Sequence, residues 1–523
     1  MKTRRNYRGE KRLYFKPELD RCPHCGTKLR RSYVIWRKHI ITIRGIFYVV
    51  SYAYRCPHPI CPRPDERYCS IEAERLSLKY YQVGIDVIAE VGNLRFKRHL
   101  THREIKRQLR RRYRVAISTS EVRLLTNVYL ILIGCNREQD AELLERLRSN
   151  GGITLSIDGI QPEKGNETLY ILRDVMTGEV LKARNLSSND TASITSLLED
   201  VRAMGVPVIG VVSDAHKAIR LAVETVFPGV PHQYCHYHYL DDAAKPVSEM
   251  DRALKKDLKR RVRGIRAVER RAKEKPGKRS RLVLEYCSAI RAAMQDDGLY
   301  PLKPGGLRLY RRLMKIRRSM ERSCNTNPHR DLDRLIEILS VLDLEASRYR
   351  RIRRLHRLVA EAAKTLGVKA EGETAKGLME SYLDGLPKLR YLEDKAAVEN
   401  IRRVTASFWP GLFHCYDHPF LPATNNALEV YIRSLKAGYR KTTGRVGCQG
   451  HILRYGAYVV HVDFSVSRRE TVSRFQSVSY EAFLRKREEF ESVQERFRFS
   501  CRVRRNLDGF LRDQEKQWAS ASD

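Results

Sequence analysis

Residues 153–159 read ITLSIDG and residues 206–214 read VPVIGVVSD. Each is a short, mostly apolar run closing on one acid, Asp158 in the first and Asp214 in the second. The second run is nearly continuous in branched apolar residues, as in a strand buried on both faces. Between the two, residues 168–173 and 179–183 read as a hairpin about Met176-Thr177-Gly178, and a helix is expected over 191–204. The order is strand with Asp, hairpin, helix, buried strand with Asp. It predicts an α/β core with two carboxylates at neighbouring strand ends, a workable bed for Mg²⁺ with its preference for hard oxygen ligands. The plainer alternative is that Asp is a common turn residue where strands end.

A third carboxylate lies in 422–440, PATNNALEVYIRSLKAGYR. Thr424 or Asn425 is suited to cap a helix. Glu429, Arg433, Lys436 and Arg440 then recur at offsets 0, 4, 7 and 11, on one helical face. Gly438 threatens to end the helix early and take Arg440 off that stripe. One acid with two or three cations on a shared face suits a metal ligand beside a phosphate track. It equally suits an exposed face with an i,i+4 ion pair.

Asp158, Asp214, Cys235-His-Tyr-His238 and Thr424-Asn-Asn-x-x-Glu429, in that order, resemble the motifs of the Mutator-like DDE transposases. The resemblance spans roughly residues 151–460. It implies an RNase H-like catalytic core, split by a large all-α insertion, in which Asp158, Asp214 and Glu429 form the catalytic triad and bind Mg²⁺ or Mn²⁺. It also implies cleavage at transposon ends followed by attack of the freed 3′-OH on target DNA. A synaptic complex of at least two subunits is implied as well. Cys235 and His238 are expected to be structural elements near the site, since two ligands alone do not make a zinc centre. Trp409-Pro410 is expected in the core.

The N-terminal region carries a second kind of chemistry. Cys22-Pro-His-Cys25 and Cys56-x4-Cys61 flank strand-like stretches at 33–36, 39–43 and 46–54, with Gly45 as a turn. Two short turns that each supply two thiolates satisfy tetrahedral zinc, so Cys22, Cys25, Cys56 and Cys61 are the expected Zn²⁺ ligands; His24, His58 or Cys69 is the alternative to one of them. Such a ribbon is closer to those of prokaryotic insertion-sequence transposases. Thr101-His-Arg-Glu104 and Ser118-Thr-Ser-Glu121 both fit the capping box. They bound two helices, residues 105–113 and 119 to about 132, that match a helix-turn-helix with its second helix in the major groove. Arg107, Arg110, Arg111 and Arg123, with Arg433, Lys436 and Arg440, are the expected DNA contacts. A solvated basic hairpin is the alternative.

The expected layout is a zinc ribbon over 1–75, a helix-turn-helix region over 76–150 and the first part of the core over 151–245. A helical insertion follows over 246–404, then the Glu-bearing part of the core over 405–465. A basic helical tail over 466–523 ends in a loose WASASD.

Composition sets the class of partner. The 523 residues hold 100 Lys and Arg against 62 Asp and Glu, a formal charge of +38. That field favours polyanions, above all double-stranded DNA. Residues 251–280 alone hold fourteen Lys/Arg against four Asp/Glu, and a DNA path along that face is expected. No apolar run reaches the ~18 residues of a membrane span, and the charged N-terminus has no apolar stretch behind it. Twelve cysteines, mostly isolated, argue for a reducing compartment. A cytoplasmic, nucleoid-associated protein is therefore expected. No G-x-x-x-x-G-K-[ST] occurs, in keeping with phosphoryl transfer that needs no nucleotide hydrolysis. Two other readings stay open: a transposase-derived DNA-binding protein without catalysis, and a structure-specific nuclease on the same fold.

The charge generates a direct test. Affinity for duplex DNA is expected to fall with salt at a log–log slope of about −0.9 per phosphate neutralised, measured by titration at several salt concentrations. A salt-independent affinity would contradict it.

Overall fold

The computed structural model describes residues 10–138, 140–161, 167–274, 277–388, 391–445 and 447–521. They divide into two compact units. The first comprises Met1–Ile153, Ile157–Pro207 and Ala427–Asp523; the second comprises Thr154–Ser156 and Val208–Asn426. Among the described residues no helix is long and apolar enough to cross a membrane.

The first unit opens with β1 (Lys11–Phe15), β2 (Arg30–Thr42) and β3 (Gly45–Arg55) in the order β1-β3-β2. The β2–β3 hairpin turns tightly, with Thr42 opposite Gly45 and Ile40 opposite Phe47, so the aromatic and β-branched residues on both arms pair across the ladder. β1 runs parallel to β3. Its sequence, KRLYF, is mostly solvent-facing, and an edge strand of that kind has no apolar run to betray it.

Helices follow at Ile85–Gly92, His102–Tyr113 and Thr119–Glu138. Thr101 caps the second through a complete capping box with Glu104, and Ser118 accepts from the Glu121 N–H at 3.0 Å. The third helix extends beyond the expected end at about 132. Its residues from Leu125 to Asn136 are buried or half-buried, because the C-terminal helices pack on it. Phe475, Phe483 and Phe490 enter the same core as Leu125, Tyr129 and Leu132. The segment expected to be a polar tail is thus part of a core. Phe475, Phe483 and Phe490 are spaced too widely among charges to stand out as an apolar face. Glu90, 2% exposed, fastens the arrangement: it accepts from the Tyr113 hydroxyl at 3.0 Å and pairs with Arg468 at 3.1 Å. The last helix, Leu507–Ser520, runs through most of the expected loose terminus; Ser522 and Asp523 lie outside the described residues.

The first unit also contains β4 (Ile153–Ile160, less its three residues in the other unit), β5 (Thr168–Asp174) and β6 (Val180–Leu186), in the order β6-β5-β4. β5 and β6 form the expected antiparallel hairpin, with Gly178 in the left-handed region at φ 72°. β4 continues past Asp158 to Ile160. Asp158 therefore sits inside the strand rather than at its end, because Gly159 stays extended and Ile160 is buried.

In the second unit, Thr154–Ser156 of β4 is followed in the sheet by β7 (Val208–Ser213) and then β8 (His232–Tyr234), which runs parallel to β7. The helical region begins at His236, ten residues before the expected start, and its first helix, His236–Arg261, carries Pro246 in its interior. Ala243, Ala244, Val247, Leu254 and Leu258 line its buried face. They share one core with apolar residues of the Gly305–Thr326, Ala346–Leu366 and Leu392–Phe408 helices. Trp409 packs on this core, its ring 4.9 Å from that of Phe413. Helices end at Glu274 and resume at Lys278; of the expected Pro276-Gly277 break, Pro276 lies outside the described residues.

The core made by the C-terminal helices generates a stability test. Phe483 is 0% exposed and meets Tyr81 edge-on at 6.2 Å. Phe483→Ala should destabilise the first unit by about 3–5 kcal/mol, read as an earlier transition in urea denaturation.

Candidate catalytic carboxylates and four-cysteine centre

In the N-terminal region, the sulfurs of Cys22, Cys25, Cys56 and Cys61 lie within 4.8 Å of one another. Cys22 and Cys61 are 3.8 Å apart, and Cys25 and Cys56 are 3.3 Å apart. A tetrahedron of Zn–S bonds of about 2.3 Å has edges of about 3.8 Å, so the four thiolates are able to hold zinc. Two tight turns aim them. In the first, the Gly26 N–H donates to the Cys22 carbonyl at 2.9 Å, and Gly26 adopts φ 72°, a conformation a side chain would strain. In the second, the Cys61 N–H donates to the His58 carbonyl at 3.2 Å. The β2–β3 hairpin joins the turns and Tyr68 closes the side, its hydroxyl 3.7 Å from the Cys22 sulfur. His24 pairs instead with Glu66 at 2.7 Å, and Cys69 stands outside the cluster.

Asp158 and Glu429 both belong to the first unit. Asp158 is half-buried on β4 and accepts from the Gly159 N–H at 2.7 Å. Glu429 is half-buried near the start of the Asn426–Thr443 helix. Leu428 and Ile432 of that helix share a core with Ile160 of β4 and Leu169 and Ile171 of β5. Arg173 of β5 steadies it further, donating to the Ala427 carbonyl at 3.2 Å with its guanidinium 5.3 Å from the centre of the Tyr431 ring. The helix passes straight through Gly438, correcting the expected early stop. A Cβ at Gly438 would lie 2.9 Å from His99 Cε1, so glycine allows a close approach there. Arg433, Lys436 and Arg440 all stay on the helix and exposed.

Asp214, Cys235 and His238 belong to the second unit. Asp214 directly follows β7, and its Oδ1 accepts from the His216 N–H at 3.1 Å. Ser213 before it shares a 2.8 Å hydrogen bond with His232 Nε2. Burial pushes the His232 pKa down to about 3, so this ring is uncharged at neutral pH. Cys235 is fully buried at the start of the His236–Arg261 helix. Its N–H donates to the Ser213 carbonyl at 2.8 Å, and its sulfur accepts from the Asn425 N–H at 3.4 Å. The His236 N–H donates to the Ala423 carbonyl at 2.9 Å. Ser156 of β4 donates to Asn425 Oδ1 at 2.5 Å, both side chains being buried. Ser156, Arg173 and His232 escaped the sequence reading, as did the bonds of Ser156 and Cys235 to Asn425. The one available signal was spacing: Ser156 stands two residues before Asp158 on a strand, hence on the same face.

In the helical hairpin, Arg107, Arg110 and Arg111 lie exposed on the His102–Tyr113 helix, and Arg123 is exposed in the first turn of the Thr119–Glu138 helix. None of the four forms an ion pair among the described residues. Among its described side chains the second helix is exposed at Ser120, Arg123 and Leu124, so the open basic surface belongs mainly to the first.

Residues 174–292 match the family model of the Mutator family transposases. No curated protein matches the chain. The matched stretch contains Asp214, Cys235 and His238, and it supports a Mutator-like transposase, a class of enzyme that cleaves and transfers DNA.

The cysteine cluster yields a metal test. Cys22→Ser with Cys25→Ser should release about one zinc per chain and loosen the N-terminal hairpin. Elemental analysis of the native and substituted proteins reads the first effect and proteolysis near residues 20–60 the second. A native protein without zinc would refute the assignment.

Proposed function

We propose, from that family match, that this chain is a DDE transposase cutting DNA at transposon ends and joining the ends to target DNA. In this reading β4 to β8 form an RNase H-like core interrupted by a helical insertion. Asp158, Asp214 and Glu429 are its catalytic acids, and the protein works as a complex of two or more subunits on paired DNA ends. The neighbour order β6-β5-β4 in one unit and β4-β7-β8 in the other, with the acids on β4 and just after β7, supports the core assignment.

The observation that carries the triad is the Ser156–Asn425 hydrogen bond. Ser156 and Asp158 share a strand face at i,i+2, and Asn425 and Glu429 are four apart where the helix begins. Fastening Ser156 to Asn425 thus ties together the roots of the segments that carry Asp158 and Glu429. The third segment joins through Cys235, whose N–H holds Ser213 next to Asp214 and whose sulfur receives Asn425. The cysteine of the C-x-x-H motif serves as a buried clasp.

The donor set fits a hard divalent cation. All three groups are half-buried carboxylates, and among the described residues Asp214 Oδ2 has no hydrogen-bond partner. A bound divalent cation supplies activation of the attacking oxygen and stabilisation of the leaving 3′ oxygen. The chain's own part is to fix the acids on rigid elements and to present Arg433, Lys436 and Arg440, on the same helix as Glu429, to backbone phosphates beside the reacting bond.

Glu429→Gln, Asp158→Asn and Asp214→Asn each keep size and hydrogen bonding but remove the charge a hard cation needs. Each should lower cleavage and strand transfer by orders of magnitude, about 10³-fold or more, while binding of terminal-repeat DNA at the same salt and Mg²⁺ changes little. Near-native joining by the Glu429→Gln protein would disprove the triad at that position. Cleavage without any strand-transfer product would point to a nuclease instead.

A further inference from the structure

The second unit holds an apolar tip that the proposed chemistry does not use. Between the Lys278–Gln295 and Gly305–Thr326 helices the chain folds back on itself. Leu299 and Lys303 exchange backbone hydrogen bonds of 2.8 and 2.7 Å, leaving Tyr300, Pro301 and Leu302 at the bend. The bend is held from several sides. Asp251, 0% exposed, accepts from the Tyr300 hydroxyl at 2.5 Å and from the N–H groups of Gly306 and Leu307 at 2.6 and 2.7 Å. The Tyr237 hydroxyl donates to the Tyr300 carbonyl at 3.1 Å, and His356 Nε2 donates to the Pro301 carbonyl at 3.1 Å. Yet Leu299 is 68% exposed and Leu302 45%. A backbone so fully bonded has its apolar side chains in water.

Cations surround this tip. A groove of about 500 Å³ is lined by Tyr300 with Arg252, Lys256 and Arg263. A groove of about 420 Å³ is lined by Leu302 with Arg311, Arg353 and Arg357. Asp296 and Asp297 at the base of the bend are each already paired with two cations. Lys256, Arg263, Arg311, Arg353 and Arg357 form no ion pair among the described residues, so their charge remains for an outside partner.

We infer that the 299–303 tip is a wedge for duplex DNA. The flanking cations hold backbone phosphates, and Leu299 and Leu302 enter between base pairs and unstack a step. The inference rests on the transposase reading, which supplies DNA as the partner; the charge selects a polyanion, and the leucines select one with an apolar interior reachable from its grooves. Inserted leucine is a known means of kinking a duplex. Because folding already fixes the tip's backbone, insertion costs little further conformational freedom.

The test uses the full chain, a 30-bp duplex, and the same duplex with two central mismatched pairs whose unstacking is already easy. The native protein should prefer the mismatched duplex by about tenfold. Leu299→Ser with Leu302→Ser should reduce that preference to within about twofold while leaving the salt slope unchanged, because the phosphate contacts remain. Both positions are exposed, so the fold should persist, and Leu299→Met with Leu302→Met should restore the preference. Arg311→Gln with Arg353→Gln should instead flatten the salt slope by about two and keep the preference. If the serine protein keeps the native preference, or the native protein has none, the wedge is wrong while the transposase reading stands. If the serine substitutions change only the oligomeric state, the tip is a contact between copies and the wedge is again wrong. Failure of the native chain to bind either duplex would overturn the transposase reading itself.

Discussion

The hydrogen bond from Ser156 to Asn425 joins two points 269 residues apart in sequence, and it holds together the strand that leads to Asp158 and the turn that opens the Asn426–Thr443 helix. Both groups are buried, and a buried hydroxyl or amide without a partner costs roughly 1–3 kcal/mol. The pair is therefore strongly held to one geometry. Its effect is positional, because each partner stands one structural repeat from an acid: two residues along a strand, four along a helix. The whole helical insertion departs and returns between Asp214 and Asn425. A buried polar clasp stands at the point of return.

Around this clasp the second unit is built outward from one long helix, His236–Arg261, which touches the site at its first residues and supports the insertion along the rest. Its buried stripe carries the apolar load. Its exposed stripe is basic, so the same 26 residues serve as core on one face and as a cationic surface on the other. The buried Asp251 shows how the two roles meet. It is an acid placed on the core side, where it accepts two backbone N–H groups at the start of the next helix and a tyrosine hydroxyl, and it thereby orients a loop on the charged surface.

The first unit follows another logic. Its N-terminal sheet is small and is flanked by four cysteines placed to hold a metal, a common support for small modules with little core. The helices after it gain their core from a segment more than 300 residues later, where Phe475, Phe483 and Phe490 pack with Tyr129 and Leu132. The bond from Glu90 to Arg468 lies within this union of distant segments. The helix-turn-helix region is therefore not an independent module. The helix expected to read DNA is largely buried beyond its start, and most of the open arginines stand on its neighbour.

Local regularities in the sequence determined much of this protein. The Cys-x-x-Cys and Cys-x4-Cys spacings, the capping boxes at Thr101 and Ser118, the hairpin at Gly178, the doubly buried β7 and the offsets of Glu429, Arg433, Lys436 and Arg440 are all interactions within a few residues. Periodicity and side-chain chemistry expose such interactions directly. The tertiary structure alone decided the extent of β4 beyond Asp158, the continuity of the helix through Gly438 and the role of Cys235 as a clasp. It also decided the burial of the C-terminal phenylalanines and the apolar tip at Leu299 and Leu302. Each of these depends on a partner tens to hundreds of residues away: His99 for Gly438, Asn425 for Cys235 and Ser156, Asp251 for the tip. A window of sequence registers what a residue is and how its neighbours repeat. It does not register which distant surface will exclude water from that residue, and that exclusion fixes these features.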